Sequence, residues 1–400
     1  MASLFNHPGF LRDNASKDRG RVYPVELFFD LVFVFAITQL SHSLLQNLTL
    51  PGLVNATLLF LAVWWVWMYT TWSTNWLDPE RLPVRIALFV MMLAGLIMSI
   101  SIPTAFGAGG LAFAAAYAFM QVGRTAFVIY AIGSASPTHR RNFGRILTWL
   151  ATAGLLWIAG GLTEGNTRLA FWILALSLDY IAPFARFWVP VAGASQTTDW
   201  DVDGHHIAER CSLFVLIALG ESLIITGTTF EKLTVTAATV AALTSAVLST
   251  VAMWWIYFAI GAERGTHHIA HSADPGRIAR DGYTYLHIII VAGVIVSAVG
   301  DELVLAHPGG HVELKYLLVI VGAPILFLIG NGLFKRLSAG NFPLSHLVGF
   351  GVLAAIGIAE GLTHLFTPLA LSIATSLALV VVAAWEWRSL RGSRPEHTIG

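Results

Sequence analysis

Two carboxylates, Glu26 and Asp30, stand four residues apart in an otherwise apolar run, Tyr23-Pro-Val-Glu-Leu-Phe-Phe-Asp-Leu-Val-Phe-Val-Phe-Ala-Ile-Thr-Gln-Leu-Ser-His42. On a helix that spacing puts them on one face, shared by Ile37 and Ser41, with Thr38 at its edge and Gln39 pointing away. A carboxylate about 10 Å along a helix that starts near Tyr23 costs roughly 2.5–3.5 kcal/mol to place in a bilayer. The face is therefore expected to look into protein or water. The chemistry such a face suits is movement of a proton or cation. The alternative is a buried ion pair that fixes helix packing, of the Arg124–Asp30 kind.

Other ionisable residues fall inside apolar segments: Arg124, Asp179, Arg186, Glu209, Arg210, Glu221, His287, Asp301, Glu302, His346 and Glu360. Asp30, Arg124, Asp179 and Glu221 lie farthest from segment ends, whereas Glu209, Arg210, Asp301, Glu302 and Glu360 lie near them. Acids outnumber arginines in this set, so pairing cannot neutralise them all; the surplus must be protonated or meet a cation. Glu26, Asp30, Glu221, Asp179 and Arg124 are the candidate path residues.

Metal-ligating patterns are incomplete. Asp199-Trp-Asp201-Val-Asp203-Gly204 starts like an EF-hand loop, but its twelfth position is Arg210 where a bidentate Glu is required. His267 and His271 are spaced i, i+4, which suits zinc on a helix. No metal site is assigned, and His267, His271 and Asp201 are the nearest candidates. There is no Ser nucleophile elbow, phosphate-binding glycine loop or His-Glu-x-x-His motif. No catalytic residue is assigned, and no cofactor is called for. A rival reading, a metal-dependent membrane hydrolase or lipid-modifying enzyme, would use His267, His271, Asp274 and Asp301. A third is a structural or stress protein without turnover.

The elements that must position these residues are membrane helices. The chain has 400 residues, 56% hydrophobic and 12% charged, with a mean hydropathy of +0.70, far from the roughly 25% charge of soluble domains. Twelve spans are expected, near 24–45, 53–75, 84–105, 110–133, 144–163, 169–191, 207–228, 235–261, 284–306, 314–334, 343–363 and 367–387. Basic residues cluster before the first span (Arg12, Lys17, Arg19, Arg21) and after the second, fourth, eighth, tenth and twelfth. The other connections carry only Arg168, Lys232 and Lys315. The sixth connection is the exception, being acidic (Asp199, Asp201, Asp203) although Arg186 and Arg210 flank it; the alternation elsewhere places both termini in the cytoplasm. The polar Met1–Arg21 stretch lacks an apolar core, so the first span is expected to serve as the insertion signal. A zero net charge argues against nucleic acid, and the single Cys211 excludes a disulfide framework.

The halves echo one another. Glu26 answers Glu209, and Trp64-Trp65 answers Trp254-Trp255. Asp78-Pro-Glu-Arg81 answers Asp274-Pro-Gly-Arg277, and Gly161-Leu-Thr163 answers Gly361-Leu-Thr363. Offsets that grow smoothly fit a diverged duplication into parallel repeats, with a path where the halves meet. The expected organisation is a tail (1–22), a first six-helix repeat (23–192), an acidic and His-bearing connection (193–206), a second repeat (207–387) and a tail (388–400).

Glu26-Leu-Phe-Phe-Asp30-Leu-Val-Phe-Val-Phe-Ala36, His205-His-Ile-Ala-Glu209-Arg210 and Leu219-Gly-Glu-Ser-Leu223 together resemble the bacterial low temperature requirement protein A family. That resemblance covers most of the chain and implies a multi-pass membrane protein linked to growth in the cold. Glu26-x-Phe28-x-Asp30-x-Val32-Phe33-x-x-Ala36 is also similar to the Phe-Ser-Asp first-helix signature of two-repeat potassium channels, except that Phe29 replaces Ser and Leu31 replaces Gly. The expected fold is all-α, about twelve transmembrane helices in two parallel repeats. The expected location is the plasma membrane, with the lipid bilayer and a small cation or solute as partners; a homodimer is compatible with the chain.

Overall fold

The computed structural model describes residues 9–12, 20–134, 136–259, 261–270 and 272–390. The helices are α1 (Pro24–Gln46), α2 (Leu50–Trp76), α3 (Leu82–Ser101), α4 (Gly110–Ile132), α5 (Pro137–Gly161), α6 (Gly165–Ile181) and α7 (Gly204–Glu231). They continue with α8 (Ala237–Phe258), α9 (Gly261–Ala270), α10 (Pro275–Ile278), α11 (His287–Ala306), α12 (Leu314–Ala339), α13 (Leu344–Thr363) and α14 (Pro368–Leu390). A π-helical stretch, Ala279–Leu286, joins α10 to α11. No strand occurs among the described residues. Local chemistry sets the starts: Pro occupies the first turn of α1, α2, α3 and α5, and Thr49 and Thr236 cap α2 and α8 through their hydroxyls.

Eleven helices among the described residues are long and apolar enough to cross a membrane. The remaining expected span is α6, whose 17 residues rise about 25 Å. On α3, Leu82, Ile86, Phe89, Leu93, Ile97 and Ile100 form an exposed stripe at intervals of three and four. Its opposite face buries Val84, Leu88, Met91 and Met98. Water would not tolerate so wide an apolar exterior, whereas hydrocarbon matches it. The chain is an all-α, multi-pass membrane protein.

It divides into two compact units, residues 1–213 with 269–284, and 214–268 with 285–400. In the first, α4 packs on α3 and α5, α5 on α6, and α1 on α2 and α3, while α2 also meets α4 and α6. Trp64, Trp65 and Trp67 of α2 are fully buried, so this run is packing rather than an interfacial belt. In the second, α11 lies against α12, α8 against α14, and α13 against α12 and α14. Gly293 and Gly330 allow α11 and α12 to touch backbone to backbone; a Cβ on Gly293 would stand 2.7 Å from the Phe327 nitrogen. Trp254 and Trp255, expected to answer Trp64 and Trp65, are 40% and 38% exposed.

Two arginines expected in the tail and in a connection are instead built into the first unit. Arg12 is buried, and its Nε donates to the Thr74 and Leu77 carbonyls at the end of α2 (2.8 and 3.2 Å). Arg168 is also buried and donates to carbonyls of Ala105, Gly107, Gly160 and Thr163. Both guanidiniums end on backbone carbonyls at or beside helix ends.

Candidate functional site

Glu26 lies in the first turn of α1 and is fully buried. Its Oε2 accepts from the Tyr23 backbone N–H (2.9 Å) and from Arg12 (3.0 Å). Its Oε1 accepts from Arg210 (3.0 Å) and faces His206 Nε2 at 2.8 Å. One turn on, Asp30 Oδ1 accepts from Arg210 (2.6 Å) and from the Trp67 indole (2.7 Å). Asp30 Oδ2 is buried without a hydrogen-bond partner. The Arg210 guanidinium also stands 5.9 Å from the Trp67 ring centre, a cation–π distance.

Two helical i, i+4 pairs thus meet face to face: Glu26 and Asp30 on α1, His206 and Arg210 on the first turns of α7. The register of α7 is set from α2. Asn75 Nδ2 donates to the Asp203 carbonyl (2.9 Å), and Asn75 Oδ1 accepts from the Asp203 N–H (2.9 Å). Asp203 Oδ1 then accepts from the His206 N–H (3.1 Å), as a helix cap does. These bonds orient the Asn75 amide so that Nδ2 faces His206 Nδ1 at 3.2 Å. Nδ1 is then the acceptor, and Nε2 carries the hydrogen that Glu26 receives. With His206 neutral, two carboxylates balance two guanidiniums. Cys211 follows directly, fully buried as a free thiol.

On another face of α2 lies a second buried network. Arg124 donates to the Val66 carbonyl and Thr70 Oγ1 (both 3.2 Å), stands over the Tyr69 ring, and donates to Gln121 Oε1. Gln121 donates to the Tyr117 hydroxyl (3.3 Å), which donates to Asp179 Oδ2 at 2.6 Å. Trp157 Nε1 donates to that same oxygen (3.2 Å), and Asp179 Oδ1 is left without a partner. Arg124 and Asp179 are thereby linked through two uncharged side chains rather than by direct contact. Tyr69 also lines an aromatic-walled cavity of about 60 Å³ with Trp72, Trp76, Thr125 and Asn142.

Several sequence expectations change here. Asp30 pairs with Arg210, not Arg124, because Arg124 turns toward α2 carbonyls and Gln121. His205 and Glu209 are exposed, and the residues that turn inward are His206 and Arg210. Arg12, Asn75, Trp67 and His206 were missed as site members; the matched i, i+4 spacings of 26/30 and 206/210 were the available signal. Glu221 is buried on α7 in the second unit. Asp274 caps α10, accepting from the Arg277 N–H (3.0 Å) and from Thr197 Oγ1 (2.7 Å). Asp201 adopts a left-handed φ of 38°. His271, the side chain of His267 and that of Asp199 lie outside the described residues. Among those described, no group of three or more His, Cys, Asp or Glu side chains is placed to hold a metal.

A family model for the bacterial low temperature requirement A protein (LtrA) matches residues 21–384. An uncharacterised protein from Rhizobium meliloti is 42% identical over 390 residues, covering 97% of this chain and 94% of that relative. No solved structure matches the chain.

Proposed function

The chain belongs to the bacterial low temperature requirement A family, and we propose that it moves protons or small cations across the cell membrane. The observation that carries this reading is Asp30. A carboxylate fully buried in a membrane span keeps one oxygen on Arg210 and Trp67 and leaves the other without a partner. A group that served only to clamp helices would have both oxygens satisfied, since each unmade bond costs about 1–3 kcal/mol. An exchangeable proton or ion would satisfy Oδ2. Asp179 Oδ1 repeats the pattern one network away, its other oxygen held by Tyr117 and Trp157. Glu221 is the carboxylate this reading assigns to the path in the second unit.

Glu26 carries a different role. With four donors around its two oxygens, it is the clamp that holds α1 to α7 and to the residue 9–12 segment. That completeness favours a structural reading for Glu26, and the transport role is kept for Asp30 and Asp179.

The wider frame of the proposal is a duplicated chain with cytoplasmic termini. Its support is the alternation of basic connections and the recurrence of Asp-Pro-x-Arg at 78–81 and 274–277, although Asp78 accepts from the Glu80 N–H and Asp274 from the Arg277 N–H, one residue farther on (both 3.0 Å). The test is flux in liposomes holding the purified full chain, with a pH-sensitive dye inside and an imposed proton or cation gradient. The proposal expects dissipation well above protein-free vesicles. Gradients that decay no faster than in empty liposomes, for protons, sodium and potassium alike, would reject it.

A further inference from the structure

The geometry points to a binding site for one small monovalent cation, sodium in class, at Asp301 in the second unit. Asp301 lies on α11, is 7% exposed, and has Oδ2 buried without a hydrogen-bond partner. No ion pair among the described residues includes it. It lines a cavity of about 20 Å³ together with Ser249 of α8, Ser297, Ile320 of α12, and Ser372 and Thr375 of α14. One water-sized occupant needs roughly 10–15 Å³, so the space fits one dehydrated ion and excludes a hydrated one.

The wall is made of hard oxygen. Pro324 stands inside α12 and brings no N–H, so the Ile320 carbonyl four residues earlier has no helical donor. Gly300 of α11 lies beside that turn, where an added Cβ would make ordinary contacts with Val319 and Ile320 (3.5 and 3.8 Å). The hydroxyls are pre-set: Ser245 Oγ stands 2.9 Å from Ser372 Oγ and 3.0 Å from Ser376 Oγ, and Ser376 donates to the Ser245 carbonyl (3.1 Å). A carboxylate, hydroxyls and a freed helix carbonyl are hard oxygen ligands that suit sodium, and carbonyls freed in broken helices serve this way in transport proteins. A single carboxylate matches one positive charge. No group of three or more His, Cys, Asp or Glu side chains occurs among the described residues, so the many-carboxylate cage of a calcium site is absent there.

Binding is read without flux, so the site and the transport reading can fail separately. The experiment is thermal unfolding of the purified full chain in detergent, with NaCl replacing choline chloride at constant ionic strength. The inference expects a saturable rise of about 5 °C or more in NaCl, a smaller one in KCl, and none in Asp301→Asn. Ser297→Ala and Ser372→Ala keep the carboxylate, and each should raise the sodium midpoint about tenfold; they also serve should Asp301→Asn not fold. No sodium-specific rise, equal rises in NaCl and KCl, or a rise retained in Asp301→Asn would each overturn the site. So would stability that follows pH through Asp301 but ignores sodium, since the occupant is then a proton. Sodium binding without flux would leave the site standing and remove the transport reading; flux without sodium binding would do the reverse.

Discussion

Glu26 and Asp30 sit one helical turn apart, and the bonds around them give different expectations for the same chemical change. Glu26→Gln removes the negative charge that Arg12 and Arg210 both contact. It strands positive charge in low dielectric, and breaking such a buried pair costs about 3–5 kcal/mol. We expect most of the folded protein to be lost, measured as monodisperse yield on size exclusion in detergent. Tyr117→Phe removes the hydroxyl between Gln121 and Asp179, leaving Trp157 as the one donor to the carboxylate among the described residues. A loss of about 1–3 kcal/mol should appear as a lower midpoint in thermal unfolding, and an unchanged midpoint would contradict the network. The carboxylates themselves were legible from type and spacing, because an acid in an apolar run is costly wherever it points. Their partners were not. Arg210 and His206 look like residues at the polar end of a span, and only the fold of the residue 9–12 segment and α7 carries them to Glu26.

Helix positions were legible because most spans are apolar runs of membrane length, and α1, α2, α3, α5 and α8 also open on a Pro or a Thr cap. What the pattern concealed was how the ends are tied. Arg12 and Arg168 count as loop charges in a hydropathy reading, yet each ends on backbone carbonyls, a contact that depends on tertiary structure. Asn75 is similarly unremarkable in sequence, but its amide holds both backbone groups of Asp203 and so fixes where α7 begins. The α11–α12 contact gives an element-scale prediction. Gly293→Val would push a side chain against the Phe327 backbone, which cannot yield as a side chain can. A cost of about 1–3 kcal/mol should lower the unfolding temperature, while Gly351→Ala, with nothing within 4 Å of its added Cβ, should change it little.

For the whole molecule, the basic alternation predicts that a reporter fused after Gly400 is cytoplasmic and one inserted near Gly165 is on the opposite side. Finding both on one side would contradict the twelve-span topology and the duplication built on it. The central claim is that Asp30 serves ion or proton movement and not packing alone, and one paired measurement on Asp30→Asn tests it. The amide oxygen can still accept from Trp67 and Arg210, and Arg210 keeps Glu26. Asp30→Asn still removes one of the two charges that balance Arg12 and Arg210, so it should lower stability by up to about 3–5 kcal/mol, and flux is compared per folded, reconstituted protein. Proton or cation flux through reconstituted protein should meanwhile fall at least tenfold. A variant that conducts like the wild type per folded protein would contradict the account.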